Sequence, residues 1–303
     1  MGKKLFLHAT SEKNFGEANV CNTQVKKSLL RIIKHKKPNK HPMKAVTAKK
    51  RLGQHFLTDL QIARDIADTV DVCPGTPVLE VGPGMGVLTQ FLLEKEREIK
   101  VVEIDEESVS YLCKNLPQLG EDNIIPDDFL KMHLERLFGG KQFMLIGNYP
   151  YNISSQIFFK MLDNKELIPY CSGMIQKEVG ERLAARPGTK AYGILSILVQ
   201  LWYDVEYLFT VHENVFSPPP KVKSAVVLMR RNSRTTLPCN EELFKKIVKG
   251  TFNQRRKKLR NSIQQIVGKE SPLLTNPILD LRPEQLSIEE FIELTQQVER
   301  ELA

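Results

Sequence analysis

The sequence lacks the features that mark membrane, secreted and zinc-stabilised proteins. Among its 303 residues are one Trp and five Cys, and no two cysteines form a C-x-x-C pair, so neither a disulfide framework nor a zinc site is expected. No apolar run approaches the roughly 20 residues of a membrane span, and the N-terminus has no apolar secretory core. These absences predict a cytoplasmic protein with reduced cysteines, no membrane contact and no metal.

The charge is basic overall but unevenly distributed. The formal net charge is +8, and residues 1–51 hold 14 Lys and Arg against two acidic residues, whereas the rest of the chain holds 30 against 34. An apolar content of 41% and a charged content of 26% are ordinary for a globular protein, and the length suggests about two domains. Nucleic-acid binding by the folded part must therefore rest on local basic clusters.

Residues 1–43 show no sustained apolar period and include the basic, proline-containing stretch 34–42, so we predict that they are disordered. Two interpretations compete. The segment is either a basic arm that binds nucleic-acid phosphates, or an extension from a start codon assigned too far upstream, with Met43 as the true first residue. We prefer the second, and an N-terminal mass measurement on native protein distinguishes them.

A strand followed by a glycine turn predicts a ligand site. Residues 77–81 form an apolar, β-branched run, residues 82–86 read Gly-Pro-Gly-Met-Gly, and an apolar helix is expected over 87–93. Glycines there let a ligand approach the backbone and the helix N-terminus. The spacing is G-x-G-x-G and not the dinucleotide G-x-G-x-x-G, and Glu80 suits a cationic, amino-acid-like ligand end better than a pyrophosphate.

Two further strand ends carry acids. Glu103 ends a strand at 99–104, about 20 residues beyond the turn, where an acid accepts the ribose hydroxyls of a nucleoside cofactor; it alternatively caps a helix that starts near Glu106. A strand at 123–125 leads to Asp128 and Phe129, which suit the amino group and ring face of an adenine. Asp128 also fits as the N-cap of a helix through residues 134 and 137.

The fourth strand, residues 143–147, ends in Asn148-Tyr149-Pro150-Tyr151, with a helix expected from Ile153. An amide oxygen, a rigid carbonyl and an aromatic face are what amino-group chemistry on a flat base requires. Hydrogen bonds from the base N–H to Asn148 and to a carbonyl would make the nitrogen more tetrahedral and free its lone pair. The alternative is an ordinary turn that caps the next helix. All four strand ends line one crevice in open α/β sheets.

The flanking segments complete the chain. Residues 49–57 either fold over a ligand or plug the sheet edge, and on physical grounds the plug is favoured.

Beyond the fourth strand we expect strands at 174–176, 205–211 and 222–229 and a helix at 177–185, and only helical patterns follow residue 237. The expected core of this helical region is Phe244, Ile247, Val248, Phe252, Leu259 and Ile263. Eight cations and no acid lie between Lys245 and Arg260, which favours phosphate contacts, although such a run is often only solvated surface.

Together these motifs resemble those of the ribosomal RNA adenine dimethyltransferases, the small-subunit (16S) branch in particular. The match runs from about residue 49 to the C-terminus. It rests on six separate motifs: Gly53-Gln54-His55-Phe56-Leu57, Glu80-Val81-Gly82-Pro83-Gly84-Met85-Gly86, Asn148-Tyr149-Pro150-Tyr151-Asn152, Gln176-Lys177-Glu178-Val179, Phe216-Ser217-Pro218-Pro219-Pro220-Lys221-Val222-Lys223-Ser224-Ala225-Val226-Val227 and Phe252-Asn253-Gln254-Arg255-Arg256-Lys257-Lys258-Leu259-Arg260.

The resemblance implies the fold and the reaction. We expect an α/β, Rossmann-like methyltransferase domain with a mixed seven-stranded sheet over residues 44–236, and a small all-helical RNA-docking domain over residues 237–303. Members of this family transfer methyl groups from S-adenosyl-L-methionine to N6 of two adjacent adenines near the 3′ end of 16S rRNA. The implied substrate is an immature 30S subunit, with a role in 30S biogenesis, and a monomer is the default state.

The resemblance also implies the site residues. It places Phe216 opposite Tyr151, so that two aromatics clamp a flipped adenine, with stacking worth roughly 1–3 kcal/mol per base; alternatively Phe216 is a core residue. The implied catalytic residues are Asn148, Pro150, Tyr151 and Phe216. The implied cofactor contacts are His55, Leu57, Gly82, Gly84, Glu103, Asp128 and Asn148. The expected RNA contacts are Arg182, Arg186, Lys221, Lys223, Arg255, Arg256, Lys257 and Lys258.

The sequence departs from the family pattern at two positions. Tyr149 stands where Leu is most common, and Met85 replaces a commoner Leu in the glycine turn. Both predict altered packing with intact chemistry. The alternative functions are a large-subunit rRNA adenine methylase, a ribosome-assembly or transcription factor that has lost catalysis, and, more distantly, a nicotinamide oxidoreductase.

Overall fold

The structure is a computed structural model that describes residues 46–303; the predictions for residues 1–43 fall outside the described residues. At its centre lies a seven-stranded sheet with the strand order β4-β3-β2-β5-β6-β9-β7. A two-stranded ribbon, β1 with β8, lies apart from it. The strands are β1 Phe56–Leu57, β2 Val78–Val81, β3 Ile99–Val102, β4 Ile124–Ile125, β5 Met144–Asn148, β6 Tyr170–Gln176, β7 Tyr203–Val211, β8 Phe216–Ser217 and β9 Ser224–Arg231.

The first five strands of the sheet, β4-β3-β2-β5-β6, are parallel, and β9 and β7 add antiparallel pairs at one side. The predicted mixed seven-stranded sheet is therefore confirmed. All four residues of β2 are buried, as expected for a parallel strand that helices cover on both faces. Parallel pairing brings the carboxyl ends of β2, β3, β4 and β5 to one edge, which is where the sequence places its acidic and amide residues.

The helices cover the sheet and form the C-terminal region. They are α1 Leu60–Ala67, α2 Thr89–Leu92, α3 Glu106–Asn115, α4 Ser154–Asp163, α5 Lys177–Leu183, α6 Ile194–Gln200, α7 Glu241–Asn253, α8 Arg260–Val267 and α9 Ile288–Leu302. Short 3-10 turns join them, among them Asp68–Val72 and Pro283–Gln285. Within residues 46–303, none of these helices is both long enough and apolar enough to cross a bilayer.

One predicted helix is shorter than expected, and another is absent. The helix expected over 87–93 is reduced to the single turn Thr89–Leu92. The helix expected after Asp128 is absent, and residues 126–143 form an irregular loop between β4 and β5. The Asp128 carboxylate accepts a hydrogen bond from Leu130 N–H at 3.0 Å, which closes a turn that does not continue into a helix. The predicted N-cap chemistry is thus present without the helix.

The six core residues predicted for the C-terminal helical region are all buried. Asn240 caps α7 through its side chain, and Ser287 with Glu290 forms a capping box at α9. The hydrophobic cluster that contains Phe244 and Phe291 also contains Tyr192 and Trp202, which belong to the sheet-bearing part. The change of secondary structure near residue 237 therefore does not interrupt the core.

Candidate active site

A cleft lies at the carboxyl edge of the parallel strands. Its wall is made by the four strand ends, the glycine turn and the lead-in segment 52–57. All but one of the residues predicted to bind the cofactor or to act in catalysis line this cleft. They are His55, Leu57, Gly82, Gly84, Glu103, Asp128, Asn148, Pro150 and Tyr151.

The glycine turn is shaped by backbone conformations that favour glycine. Gly82 and Gly84 have φ values of 70° and 56°, in the left-handed region. A Cβ on Gly84 would lie 3.0 Å from the Phe56 ring, so the turn is in close contact with the lead-in segment. The Gly84 N–H donates to Glu103 Oε2 at 3.0 Å, which joins the turn to the end of β3.

Glu103 is held at the cleft wall by the backbone. Its Oε1 accepts from Asp105 N–H at 2.9 Å and its Oε2 from Gly84 N–H. Burial raises the pKa of its carboxyl, and these two hydrogen bonds oppose that rise. Each carboxylate oxygen has a second lone pair, so the group can hold these two backbone N–H groups and still accept ribose hydroxyls. It does not cap α3, which has no side-chain cap.

Glu80 is the one charged residue in β2, and it is almost fully buried. Its Oε2 accepts the Thr89 hydroxyl at 2.7 Å. Burial, with a smaller contribution from the neighbouring Glu103, raises the pKa of this carboxyl to about 8, and the hydrogen bond from Thr89 opposes the rise. A protonated carboxyl at this position can become a carboxylate when a cation binds beside it, so the site fits a ligand with an ammonium group.

Asn148 is the last residue of β5, and its side chain is oriented by the lead-in segment. The amide Nδ2 donates to the His55 carbonyl at 3.1 Å, an arrangement that assigns Oδ1 as the free acceptor. The Pro150 carbonyl accepts from Ile153 N–H at 3.2 Å and keeps one lone pair. Asn148 and Pro150 both line the cleft, and each keeps an acceptor oxygen with a lone pair for a further donor.

Tyr151 stacks on His55, with ring centroids 5.4 Å apart and an interplanar angle of 26°. The Tyr151 hydroxyl is hydrogen-bonded to Ser224, and His55 Nδ1 lies 2.8 Å from the Pro218 carbonyl. The partner predicted for Tyr151 was Phe216, and the structure does not bring Phe216 to the cleft wall. Its ring is 4% exposed and belongs to a core cluster, because β8 pairs with β1 and turns the ring inwards.

The lead-in segment is fastened on both sides of the cleft. Lys49 forms an ion pair with Asp105 and a second with Glu107 at 3.1 Å, and Gln54 Nε2 donates to Asp105 at 3.3 Å. Burial would raise the pKa of Asp105, but hydrogen bonds led by the one from Lys49 lower it. Because residues 52–57 also line the cleft, the segment is a wall of the site, and the plug interpretation is incomplete.

Tyr149, at the position where Leu is most common, is fully buried behind the cleft. Its hydroxyl donates to the Ser172 carbonyl at 2.8 Å and lies 3.3 Å from Cys171 Sγ. A Cβ on Gly173 would lie 2.6 Å from the Tyr149 ring, so this glycine makes room for the larger side chain. The contact between Tyr149 and Gly173 was not predicted from the sequence. A glycine inside a β-strand often marks a close approach by another group, so Gly173 was the signal for it.

A second, outer cavity opens beside the cleft and shares Gly53, Gln54, His55, Tyr151 and Asn152 with it. Its outer wall is the triple-proline segment followed by Lys221 and Val222, and Lys50 lies on the lead-in side. Val222 is 46% exposed. A chain that reaches the cleft through this cavity would pass between cations and apolar surfaces.

The predicted RNA-binding cations fall into two groups. Arg186, Lys221, Lys223, Arg256 and Lys257 are exposed and form no ion pair with any residue of the 46–303 range. The others are paired: Arg182 with Glu178, Arg255 with Glu284, and Lys258 with Asp280.

In α7 and the segment after it, fewer cations are available to bind phosphates than the sequence indicates. Lys245 pairs with Glu241, one turn earlier in α7, and Arg260 pairs with Asp280. Arg255 also donates to the Thr189 carbonyl at 3.2 Å, which places the loop 186–190 beside the exposed Arg256 and Lys257.

Comparison with known proteins identifies relatives across most of the chain. The family model described as ribosomal RNA adenine dimethylase matches residues 45–298. The ribosomal RNA small subunit methyltransferase A of Phocaeicola vulgatus is 72% identical over 86% of this chain and 92% of its own. The protein of the same name from Bacteroides fragilis is 68% identical over 86% and 95%.

Solved structures share the fold. A dimethyladenosine transferase from Plasmodium falciparum aligns with a TM-score of 0.68 and 24% identity over 82% of this chain and 98% of its own. The 23S rRNA methyltransferase ErmE aligns with a TM-score of 0.58 and 25% identity over 80% and 100%. The sequence match, the mixed sheet and the Asn-x-Pro-Tyr cleft agree, and the chain belongs to the ribosomal RNA adenine dimethylase family.

Proposed function

We propose that this enzyme dimethylates N6 of two adjacent adenines in the 3′-terminal hairpin of 16S rRNA. S-adenosyl-L-methionine is the methyl donor of the family. The observation that carries the proposal is the orientation of Asn148. Its N–H is already used by the His55 carbonyl, so its oxygen, with the Pro150 carbonyl, is left to accept the two N–H bonds of an exocyclic amine.

The cleft residues fit the cofactor. Glu80, whose pKa is about 8, suits the methionine ammonium group, and Glu103 suits the ribose hydroxyls. Asp128 and Phe129 line the wall where an adenine would lie. The bound cofactor supplies a methyl group on a sulfonium, which is electrophilic enough for transfer without metal activation.

The protein's own part is positioning and polarisation. Asn148 and Pro150 hold the amine so that its lone pair points away from the ring plane, and Tyr151 supports the target base. A bound cofactor would give up its methyl group to the amine nitrogen with loss of the C–S bond, and S-adenosylhomocysteine and the amine proton would be released. A second round on the same nitrogen gives dimethyladenosine.

The exposed cations support an RNA substrate. Lys50 and Lys221 lie at the outer cavity, and Arg256 and Lys257 form a separate exposed group near the loop 186–190. Contacts with phosphates would fix the position of the RNA without reading its sequence. We further propose that the physiological substrate is an immature 30S subunit, that the enzyme acts as a monomer in the cytoplasm, and that the chain divides into functional parts near residue 237.

The test is transfer of labelled methyl groups to undermethylated 30S subunits, with 50S subunits and naked 16S rRNA alongside, followed by nucleoside analysis. Dimethyladenosine formed with 30S alone is the expected result. The Asn148→Ala variant should lose methyl transfer and keep 30S binding, whereas Asn115→Ala, an exposed amide on α3, should keep both. Equal loss of binding and transfer in Asn148→Ala would contradict the proposed role.

The alternatives give different outcomes in the same assay. Label on 50S subunits would indicate a large-subunit methylase. Tight 30S binding by the wild-type protein with no label on any substrate would indicate an assembly factor that has lost catalysis. The intact set of Asn148, Pro150 and Tyr151 disfavours that second outcome, since binding alone does not require two convergent acceptors.

A further inference from the structure

The loop between β4 and β5, residues 126–143, carries part of the cleft wall without regular secondary structure. Asp127, Asp128, Phe129 and Leu130 line the cleft. Turns within the loop satisfy part of its backbone, since Lys131 N–H and Met132 N–H both donate to the Asp128 carbonyl. Buried carbonyls outside these turns need other donors. Side chains that donate to the remaining carbonyls therefore help to hold Asp128 and Phe129 in place.

Two lysines from the body of the protein reach into this loop. Lys160, on α4, donates to the Leu130 carbonyl at 3.0 Å and to the Met132 carbonyl at 2.6 Å. Its ammonium group also lies 5.7 Å from the centre of the Phe129 ring. Lys160 thus contacts the loop on both sides of residue 131, directly after the residues that line the cleft.

Lys100, on β3, makes the equivalent contact at the far end of the loop. It donates to the Leu137 carbonyl at 2.7 Å and lies 5.2 Å from the centre of the Phe138 ring. Both lysines are largely covered, and both combine a carbonyl contact with a cation–π contact. They differ in that Lys160 holds two carbonyls, whereas Lys100 holds one and also pairs with Glu98 at 3.6 Å. They differ also in place, because Leu137 and Phe138 do not line the cleft.

Lys160 lies on a helix that adjoins both the Asn148-Pro150-Tyr151 motif and the loop that carries Asp128. The helix α4 begins at Ser154, three residues after Tyr151, so the same rigid element follows the Asn148-Pro150-Tyr151 motif and holds the Asp128 loop. The Phe129 ring is buried in the main hydrophobic cluster, which leaves the loop little freedom once the two carbonyls are bound. A displacement of α4 would move both parts of the cleft together.

We infer that Lys160 is a positioning residue for the cofactor, because it fixes the loop that presents Asp128 and Phe129 to the cofactor adenine. The inference rests on the proposed function only in that Asp128 is taken to contact the cofactor. Lys160 does not touch the cleft itself. Its loss would therefore weaken cofactor binding without removing any group that takes part in methyl transfer.

The experiment compares Lys160→Met with the matched variant Lys100→Met in the full chain. Both changes remove an ammonium group that holds the same loop, at two carbonyls for Lys160 and at one for Lys100, so both should lower the melting temperature. Lys160→Met should weaken the binding of S-adenosylmethionine, measured by calorimetry without RNA, by about tenfold, and raise its KM by the same factor with kcat nearly unchanged. Lys100→Met should leave the Kd unchanged, and Lys160→Arg should restore most of the affinity.

Several outcomes would overturn the inference: an unchanged Kd in Lys160→Met, an equal rise in Lys100→Met, or a fall in kcat with no rise in KM. The binding assay keeps this inference separate from the proposed function. If the wild-type protein binds the cofactor but labels no ribosomal subunit, the proposed function fails and the calorimetric comparison still decides the role of Lys160. If Asp128→Ala binds the cofactor as tightly as the wild type, the premise about the loop is wrong.

Discussion

The titration of Glu80 should affect both the stability of the protein and its binding of the cofactor. Its pKa rises from 4.5 to about 8 on folding, first because of burial. Between these values the folded state holds a proton that the unfolded state has released, so stability is complete below pH 4.5 and falls as the pH rises towards 8. At 1.36 kcal/mol per pKa unit, the loss between pH 5 and pH 8 is about 3–4 kcal/mol.

The variant Glu80→Gln removes this dependence. Glutamine has the shape of the protonated acid and can still accept the Thr89 hydroxyl, so the variant should match the wild type at pH 5. At pH 8 it should be more stable by about 3–4 kcal/mol. Urea unfolding of both proteins across this range measures the difference. If the free energies of unfolding of the two proteins change in parallel with pH, Glu80 is not protonated in the folded protein and the reasoning is refuted.

The same residue predicts proton release when the cofactor binds. At pH 7 a group with a pKa of about 8 is roughly 90% protonated, and an ammonium group placed beside it favours the carboxylate. Binding should therefore release close to one proton at pH 7, measured by calorimetry in buffers of different ionisation enthalpy. Glu80→Gln should release none. Equal release in both proteins would assign the proton to another group, with Glu103 the first to examine.

Three further predictions concern other parts of the molecule. Glu103→Gln should weaken cofactor binding in calorimetry by about 10- to 100-fold, because one charge-assisted acceptor is lost; an unchanged Kd would contradict ribose binding. Tyr149→Phe should lower the free energy of unfolding by about 1 kcal/mol, because the buried contact to the Ser172 carbonyl is lost, and an unchanged urea midpoint would argue against it. Lys257→Ala should lower the salt dependence of RNA binding by about one counterion. Lys258→Ala should lower it less, because the Lys258 ammonium already pairs with Asp280. Equal slopes of binding constant against salt concentration in the two variants would show that the two lysines are equivalent.

The sheet and the cleft could be predicted because they depend on short-range patterns. Each buried strand is a compact apolar run, and each of Glu103, Asp128 and Asn148 follows such a run directly. Parallel pairing then brings these residues to one edge whatever the details of the connecting segments. The same reasoning succeeded for the C-terminal core, where the helical period selected residues that are all buried.

The failures share a different cause, which is contact between residues far apart in the chain. Lys100 and Lys160 satisfy loop carbonyls that a local reading assigned to a helix. The ribbon of β1 with β8 turns Phe216 into the core and leaves His55 beside Tyr151. Asp280 and Glu284 neutralise part of a cation run that has no acid within it. No period or spacing within a window of sequence contains these pairings.

The ribbon of β1 with β8 has a consequence for the order in which the protein is built. His55 and the Pro218 carbonyl are 163 residues apart in sequence, and closing so long a loop early carries a large entropic cost with little local gain. The lead-in segment is synthesised first among the described residues, but its strand partner emerges only after β7. Assembly of the cleft wall is therefore a late event, and a nascent chain that ends before Phe216 has four strand ends in place and no β8 to hold the segment that covers them.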